Sequence, residues 1–202
     1  MAGKRGRPSK AIEPTDAKKR LVDAAIALIT QKGIDAFTAA NVVEESGLST
    51  GTFYHHFKNM DDLIMTIVKE VAFDRFILQT PIKDFPGRVC ELYSHLVEHY
   101  ANLGIVFMKR FYNPGNKALA SYMCEENGHF APGTAMARCE GEAKEAIAVG
   151  VLKPDTDPHE LSADICSIVK GCLFDWAMGD FNSDIQGTLA RIIEHYCKDY
   201  RP

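Results

Sequence analysis

Seven polar or basic side chains and one glycine crowd into 21 positions: Thr38, Ser49, Thr50, Gly51, Thr52, Tyr54, His55 and Lys58. Hydroxyls, an imidazole and an ammonium can bond phosphate oxygens and base edges, and a glycine lets the backbone come close to a groove. Elsewhere the chain has no Gly-x-Ser-x-Gly, no phosphate-binding glycine loop, no dinucleotide fingerprint and no His-Glu-x-x-His. Six cysteines occur without a Cys-x-x-Cys pair. Cys166 and Cys172, six apart on a helix, face different ways, as do His195 and Cys197. The expectation is no metal, no cofactor and reduced thiols. A cysteine-based redox sensor stays open as an alternative, as does a cysteine-dependent enzyme with Cys124 or Cys139 near His129.

Short helices must position the polar cluster. From Thr15 onward Leu21, Ala25, Leu28 and Ile29 recur at helical spacing, with Val22 and Ile26 widening the stripe. Thr15 or Asp16 can cap that helix and Gly33 can end it. Thr38 caps a second helix to about Ser46, Gly47-Leu48 turns the chain, and Ser49 caps a third through Phe57. Asn59 or Lys58 opens a fourth, with Asp61 and Asp62 where the helix dipole favours acids. Two short helices joined by a glycine turn and preceded by a longer one form a helix-turn-helix. Val42, Val43, Leu48, Phe53 and Phe57 are its expected core, which leaves Thr50, Gly51, Tyr54 and His55 outward. The start at Ser49 also offers backbone N–H groups to a phosphate.

Charge supports the same division. Residues 1–60 carry nine basic and six acidic side chains (+3), whereas 61–202 carry 14 and 21 (−7). A basic head on an acidic body suits a polyanion at the head. Residues 1–14 lack apolar periodicity and read as a flexible arm. Its Lys4-Arg5-Gly6-Arg7-Pro8 resembles the Arg-Gly-Arg-Pro core of AT-hook peptides, which places Arg5 and Arg7 in a narrow minor groove. Hydrophobic residues make up 46% of 202, ordinary for a globular chain and exclusive of disorder throughout. The longest uncharged apolar stretch, Tyr100–Met108, is too short to span a bilayer. No signal peptide is recognisable, so the expectation is a cytoplasmic protein without membrane contact.

Thr38, Gly47, Ser49, Gly51, Thr52, Tyr54, His55, Phe57 and Lys58 stand in the order of a family pattern. On these residues, Lys18–Lys69 resembles the DNA-binding domain of the TetR family of bacterial transcription regulators. The resemblance implies phosphate contacts from Thr38, Ser49, Tyr54 and Lys58, and base contacts from Thr50, Gly51, Thr52 and His55. Thr50 departs from the basic residue often found there, and Val43 and Ser46 stand where alanine is common.

Residues 61–202 read as a helical body, with helices near 86–102, 104–112, 116–126, 133–150, 158–178 and 184–199. The fold class is all-α: a three-helix helix-turn-helix domain over 15–60 and a larger helical bundle. Family resemblance implies a small-molecule effector pocket between the middle helices. Tyr93, Phe107, Phe111 and Phe174 are its expected lining, with Arg110 or Lys109 as an anchor for an acidic ligand. It also implies a homodimer through residues 159–199, matched to a palindromic operator on double-stranded DNA. Together these imply a repressor released by its inducer.

Overall fold

The computed structural model describes residues 14–69, 73–111, 125, 127–180 and 182–202. Arg5 and Arg7 of the arm, and most of the helix expected at 116–126, lie outside them. Among the described residues the regular elements are helical, as expected. They are α1 (Pro14–Lys32), α2 (Ala39–Ser46), α3 (Thr50–His56), α4 (Met60–Val68), α5 (Phe85–Leu103), α6 (Ile105–Phe111), α7 (Ala135–Ala148), α8 (Pro158–Met178) and α9 (Ile185–Tyr196). Short 3-10 turns occupy Ile34–Ala36, Phe73–Arg75 and Cys197–Tyr200. Two compact units divide between Leu63 and Ile64.

In the first unit, side-chain caps set the helix starts. The Thr38 hydroxyl accepts the Asn41 N–H at 3.2 Å, and the Ser49 hydroxyl accepts the Thr52 N–H at 3.1 Å. Asn59 caps α4 by accepting from Asp62 N, while an Asp62 carboxylate oxygen takes the Lys58 N–H. Gly47 ends α2 at φ 65°, a left-handed conformation that costs an L side chain about 1–2 kcal/mol. The core holds Leu21, Ala25 and Leu28 of α1 with Val42, Phe53 and Phe57, all essentially solvent-free. Each buried phenylalanine contributes roughly 1.5–3 kcal/mol by leaving water. Val43 and Leu48, expected in this core, are only half-buried. Phe37 and Ser46 are buried instead, and the Ser46 carbonyl accepts from Arg20.

The second unit is built on α5, α7, α8 and α9, with α7 against α8, α9 against α5 and α8, and α5 against α7. Asp84, Thr134, Asp157 and Asp184 cap these four helices through their side chains. One polar network joins α5 to α7. Glu142 is buried and receives Arg88 Nε at 2.5 Å and Arg138 Nε at 2.7 Å. Arg88 reaches on to the Thr80 carbonyl, and Glu91 accepts the N–H groups of Gln79 and Thr80, each at 2.7 Å. The extended stretch before α5 is thereby fixed to the bundle. At the start of α8, His159 stacks on Phe130 and meets two carboxylates, Glu140 at 3.1 Å and Glu125 at 3.2 Å.

Candidate nucleic-acid interface and body cavity

Helix α3 is two turns long, and its period divides it cleanly. Phe53 and Phe57, four apart, are buried. Thr50 and Tyr54 form a second i, i+4 pair, Gly51 and His55 a third, and all four are exposed. Ser49 precedes them and Lys58 follows, both exposed, and Thr38 is exposed at the start of α2. The sequence-predicted residues of this unit therefore stand on its surface over an apolar base, except Thr52, which is half-buried.

Their hydrogen bonding divides them further. The Thr52 hydroxyl lies 2.9 Å from that of Ser49, so both belong to the cap of α3 as well as to its surface. Tyr54 is 58% exposed, and its ring meets Phe53 edge-on with centroids 5.2 Å apart, which holds the phenol at a set angle. His55 packs against His56 at 5.0 Å. Sequence reasoning missed His56. Its pKa is lowered, first by partial desolvation and then by the nearby His55 and Lys18, so the neutral form is favoured there. Lys18 lies over the Phe57 ring at 5.8 Å. Arg20 and Lys32, counted in the basic head, work inside the scaffold: Arg20 on the Ser46 carbonyl, Lys32 paired with Glu45 at 2.8 Å.

The second unit holds a cavity of about 30 Å³, room for about one water molecule. Its apolar wall comes from Phe73, Leu96, Tyr100, Met136, Val169 and Leu173, and its polar wall includes Tyr93, Cys166 and Lys170. Of the four expected lining residues, Tyr93 lines it. Phe107 and Phe111 are fully buried and stack on each other, centroids 6.1 Å apart; neither lines the cavity, though Phe111 packs on its Tyr100 at 5.6 Å. Phe174 is half-exposed. Leu173, Trp176 and Ala177 take the inward face of α8, and Phe174 and Met178 project from the other. Of the two expected anchors, Lys109 is paired with Asp180 at 2.8 Å on the surface, and the Arg110 side chain lies outside the described residues.

Among the described thiols, Cys139, Cys166 and Cys197 are buried and Cys90 and Cys172 half-buried; Cys124, the other candidate nucleophile, lies outside the described residues. Burial is the leading cause that pushes Cys139 and Cys197 up to about 12 and Cys90 to about 11; it raises Cys166 as well. Such groups remain protonated and are poor nucleophiles near neutrality. Among the described residues no group of His, Cys, Asp and Glu is arranged to hold a metal, and no helix is long and apolar enough to cross a membrane.

A short helix with a polar outer face on an apolar base in one unit, and a helical bundle as the other, define a helix-turn-helix protein of two units. Residues 21–66 match the model of bacterial regulatory proteins, tetR family. The match spans helices α1 to α4, less than a quarter of the chain. The HTH-type transcriptional regulator PksA of Bacillus subtilis is 32% identical over 69 residues, 33% of this chain and 34% of that protein. The chain thus spans about a third of the length of this curated relative. Solved structures extend the likeness of fold to both units. The regulator FadR from Bacillus subtilis, in complex with stearoyl-CoA, has a TM-score of 0.59 at 20% identity, covering 87% of this chain and 95% of that one. NalD, the secondary repressor of the MexAB-OprM multidrug efflux pump in Pseudomonas aeruginosa, has a TM-score of 0.60 at 16% identity, covering 94% and 98%.

Proposed function

We propose that this protein regulates transcription by binding double-stranded DNA as a homodimer, and that a small molecule in its helical body lowers its affinity for a palindromic operator. The observation that carries this reading is the outward face of α3. Thr50, Gly51, Tyr54 and His55 present hydroxyls, bare backbone and an imidazole, with no aliphatic side chain to obstruct a major groove. Thr38, Ser49 and Lys58 flank that face as phosphate contacts, and Arg5 and Arg7 extend it into the minor groove.

The exposed side of α8 supports the dimer. Phe174 and Met178 offer apolar area there, and Gly171 beside them permits a close helix approach. A twofold axis through α8 and α9 sets two recognition helices against two half-sites. An effector that favours a different spacing of those helices lowers operator affinity by its preference for that state. A thiol switch is the weaker reading, because burial keeps Cys90, Cys139, Cys166 and Cys197 protonated.

Selection of fragments from the genomic DNA of the source organism tests the reading. The full-length protein should enrich a short sequence with twofold symmetry, and Lys58→Ala should recover less of every fragment. Recovery without any sequence preference would sink it.

A further inference from the structure

Two polar groups of the body cavity lack a partner among the described residues. The Tyr93 hydroxyl is fully buried and finds no hydrogen-bond partner among the described residues. It faces the thiols of Cys139 and Cys166, which are weak acceptors. Lys170 lines the same cavity and has no carboxylate within ion-pair distance among the described residues. Cys166 lies one helical turn before Lys170 on α8, close enough to feel its charge and to meet the Tyr93 hydroxyl. One donor and one cation thus flank a single spot on the wall, beside Cys166. A buried donor left unpaired is costly, and native folds rarely leave one without a role.

Resting on the reading of this body as an effector-binding unit, we propose that its cavity takes an apolar monocarboxylic acid as the anion, its carboxylate accepting the Tyr93 O–H and pairing with the Lys170 ammonium beside Cys166. The other walls fix the rest of the ligand. Phe73, Leu96, Met136, Val169 and Leu173 are apolar, and the Thr134 hydroxyl on the same wall already donates to the Ala131 carbonyl. With only the Tyr100 phenol as a further polar group, the body of the acid is mainly hydrocarbon or aryl. A phosphate monoester calls for more donors, of the forked arginine or backbone kind, than a hydroxyl and one ammonium provide. A neutral ester or alcohol satisfies Tyr93 and leaves Lys170 unpaired. At about 30 Å³ the cavity must widen to admit the hydrocarbon, and the unbranched Met136 is the most adaptable side chain of its wall.

The test titrates full-length protein with octanoate, 4-ethylbenzoate, methyl octanoate and octan-1-ol by calorimetry. At least one acid should bind, and octanoate should bind about tenfold or more tightly than its methyl ester, the scale of a charge-assisted contact. Tyr93→Phe and Lys170→Gln should each weaken the acid by about tenfold, and Lys170→Gln should leave the ester unchanged. Binding of neither acid, equal binding of acid and ester, or indifference to Lys170→Gln would overturn the proposal. The wild-type comparison of acid with ester decides even where a variant folds poorly. A parallel shift assay on a selected DNA fragment keeps the two readings apart. Acid that binds yet leaves the DNA complex unchanged supports the site and removes its regulatory role.

Discussion

Arg20 of α1 places Nη2 2.6 Å from the carbonyl oxygen of Ser46, the last residue of α2. That carbonyl lies beside the left-handed turn at Gly47, where an added Cβ would stand 3.4 Å from the same guanidinium. A basic side chain of the N-terminal unit is therefore part of the turn's support. Arg20→Met should cost about 1.5–3 kcal/mol of stability, the range for a hydrogen bond to a charged group. Gly47→Ala should cost about 1–2 kcal/mol through its positive φ. Urea unfolding measures both. Arg20→Met should also leave the salt dependence of DNA binding near wild type, because the guanidinium is committed to protein.

Lys58 contrasts with Arg20. It is exposed just after α3, and among the described residues the hydrogen bond it makes is from its backbone N–H, to Asp62. Lys58→Ala should weaken binding to every DNA sequence and reduce the salt slope by about one unit. Thr50→Ala should instead change which bases are preferred. Shift assays at three salt concentrations, on the selected site and on an unrelated duplex, separate the two effects. An unchanged slope for Lys58→Ala would mean that its ammonium meets no phosphate.

Phe174 gives the cleaner probe of assembly. Ile168 and Ile192, which sequence periodicity also offers, are half-buried, so a charge there disturbs the bundle as well as any interface. Phe174 is half-exposed and can carry Asp without opening the core. Phe174→Asp should shift the protein toward a folded monomer in sedimentation at micromolar concentration. A wild-type protein already monomeric there would remove the dimer.

His159 makes stability depend on pH in a fixed direction. Its pKa is raised above the ordinary 6.5, first by the hydrogen bond to Glu140, with Glu125 adding to it against some desolvation. A raised folded-state pKa means that the native state binds the proton more tightly than the unfolded chain. The contribution is fully present below about 6.5 and fades as pH rises through the higher folded-state value. Melting temperature should therefore fall across that window in the wild type, and less so in His159→Asn. Identical profiles for the two would show that the imidazole carries no such linkage.

Local features of the fold were legible because their causes are local. Thr38 and Ser49 cap helices through hydroxyls that reach N–H groups three residues on, and Pro158 and Gly179 bracket α8 at its observed ends. The recognition face followed from one spacing, Phe53 to Phe57. Partners distant in sequence left no such signal: Arg20 lies 26 residues from Ser46, and Arg88 lies 54 from Glu142. The cavity was legible only in part. Apolar residues cover more than half of the circumference of α8, and composition does not tell which of them face the bundle. Phe174 therefore reads like Leu173, although one is half-exposed and the other fully buried. Lys170, a polar residue within the same stretch, gave no hint of its place in the wall.

One helix, α8, turns Cys166, Val169, Lys170 and Leu173 toward the cavity and Phe174 and Met178 toward its outer side. If that cavity takes an effector and that outer side pairs two copies, one rod carries both binding events and can couple them. Whatever factor an occupied cavity applies to the self-association constant, self-association must apply to the affinity of the cavity. The dilution at which dimers fall apart then becomes a measure of effector binding, and effector titrations at low and high protein concentration should differ by that same factor.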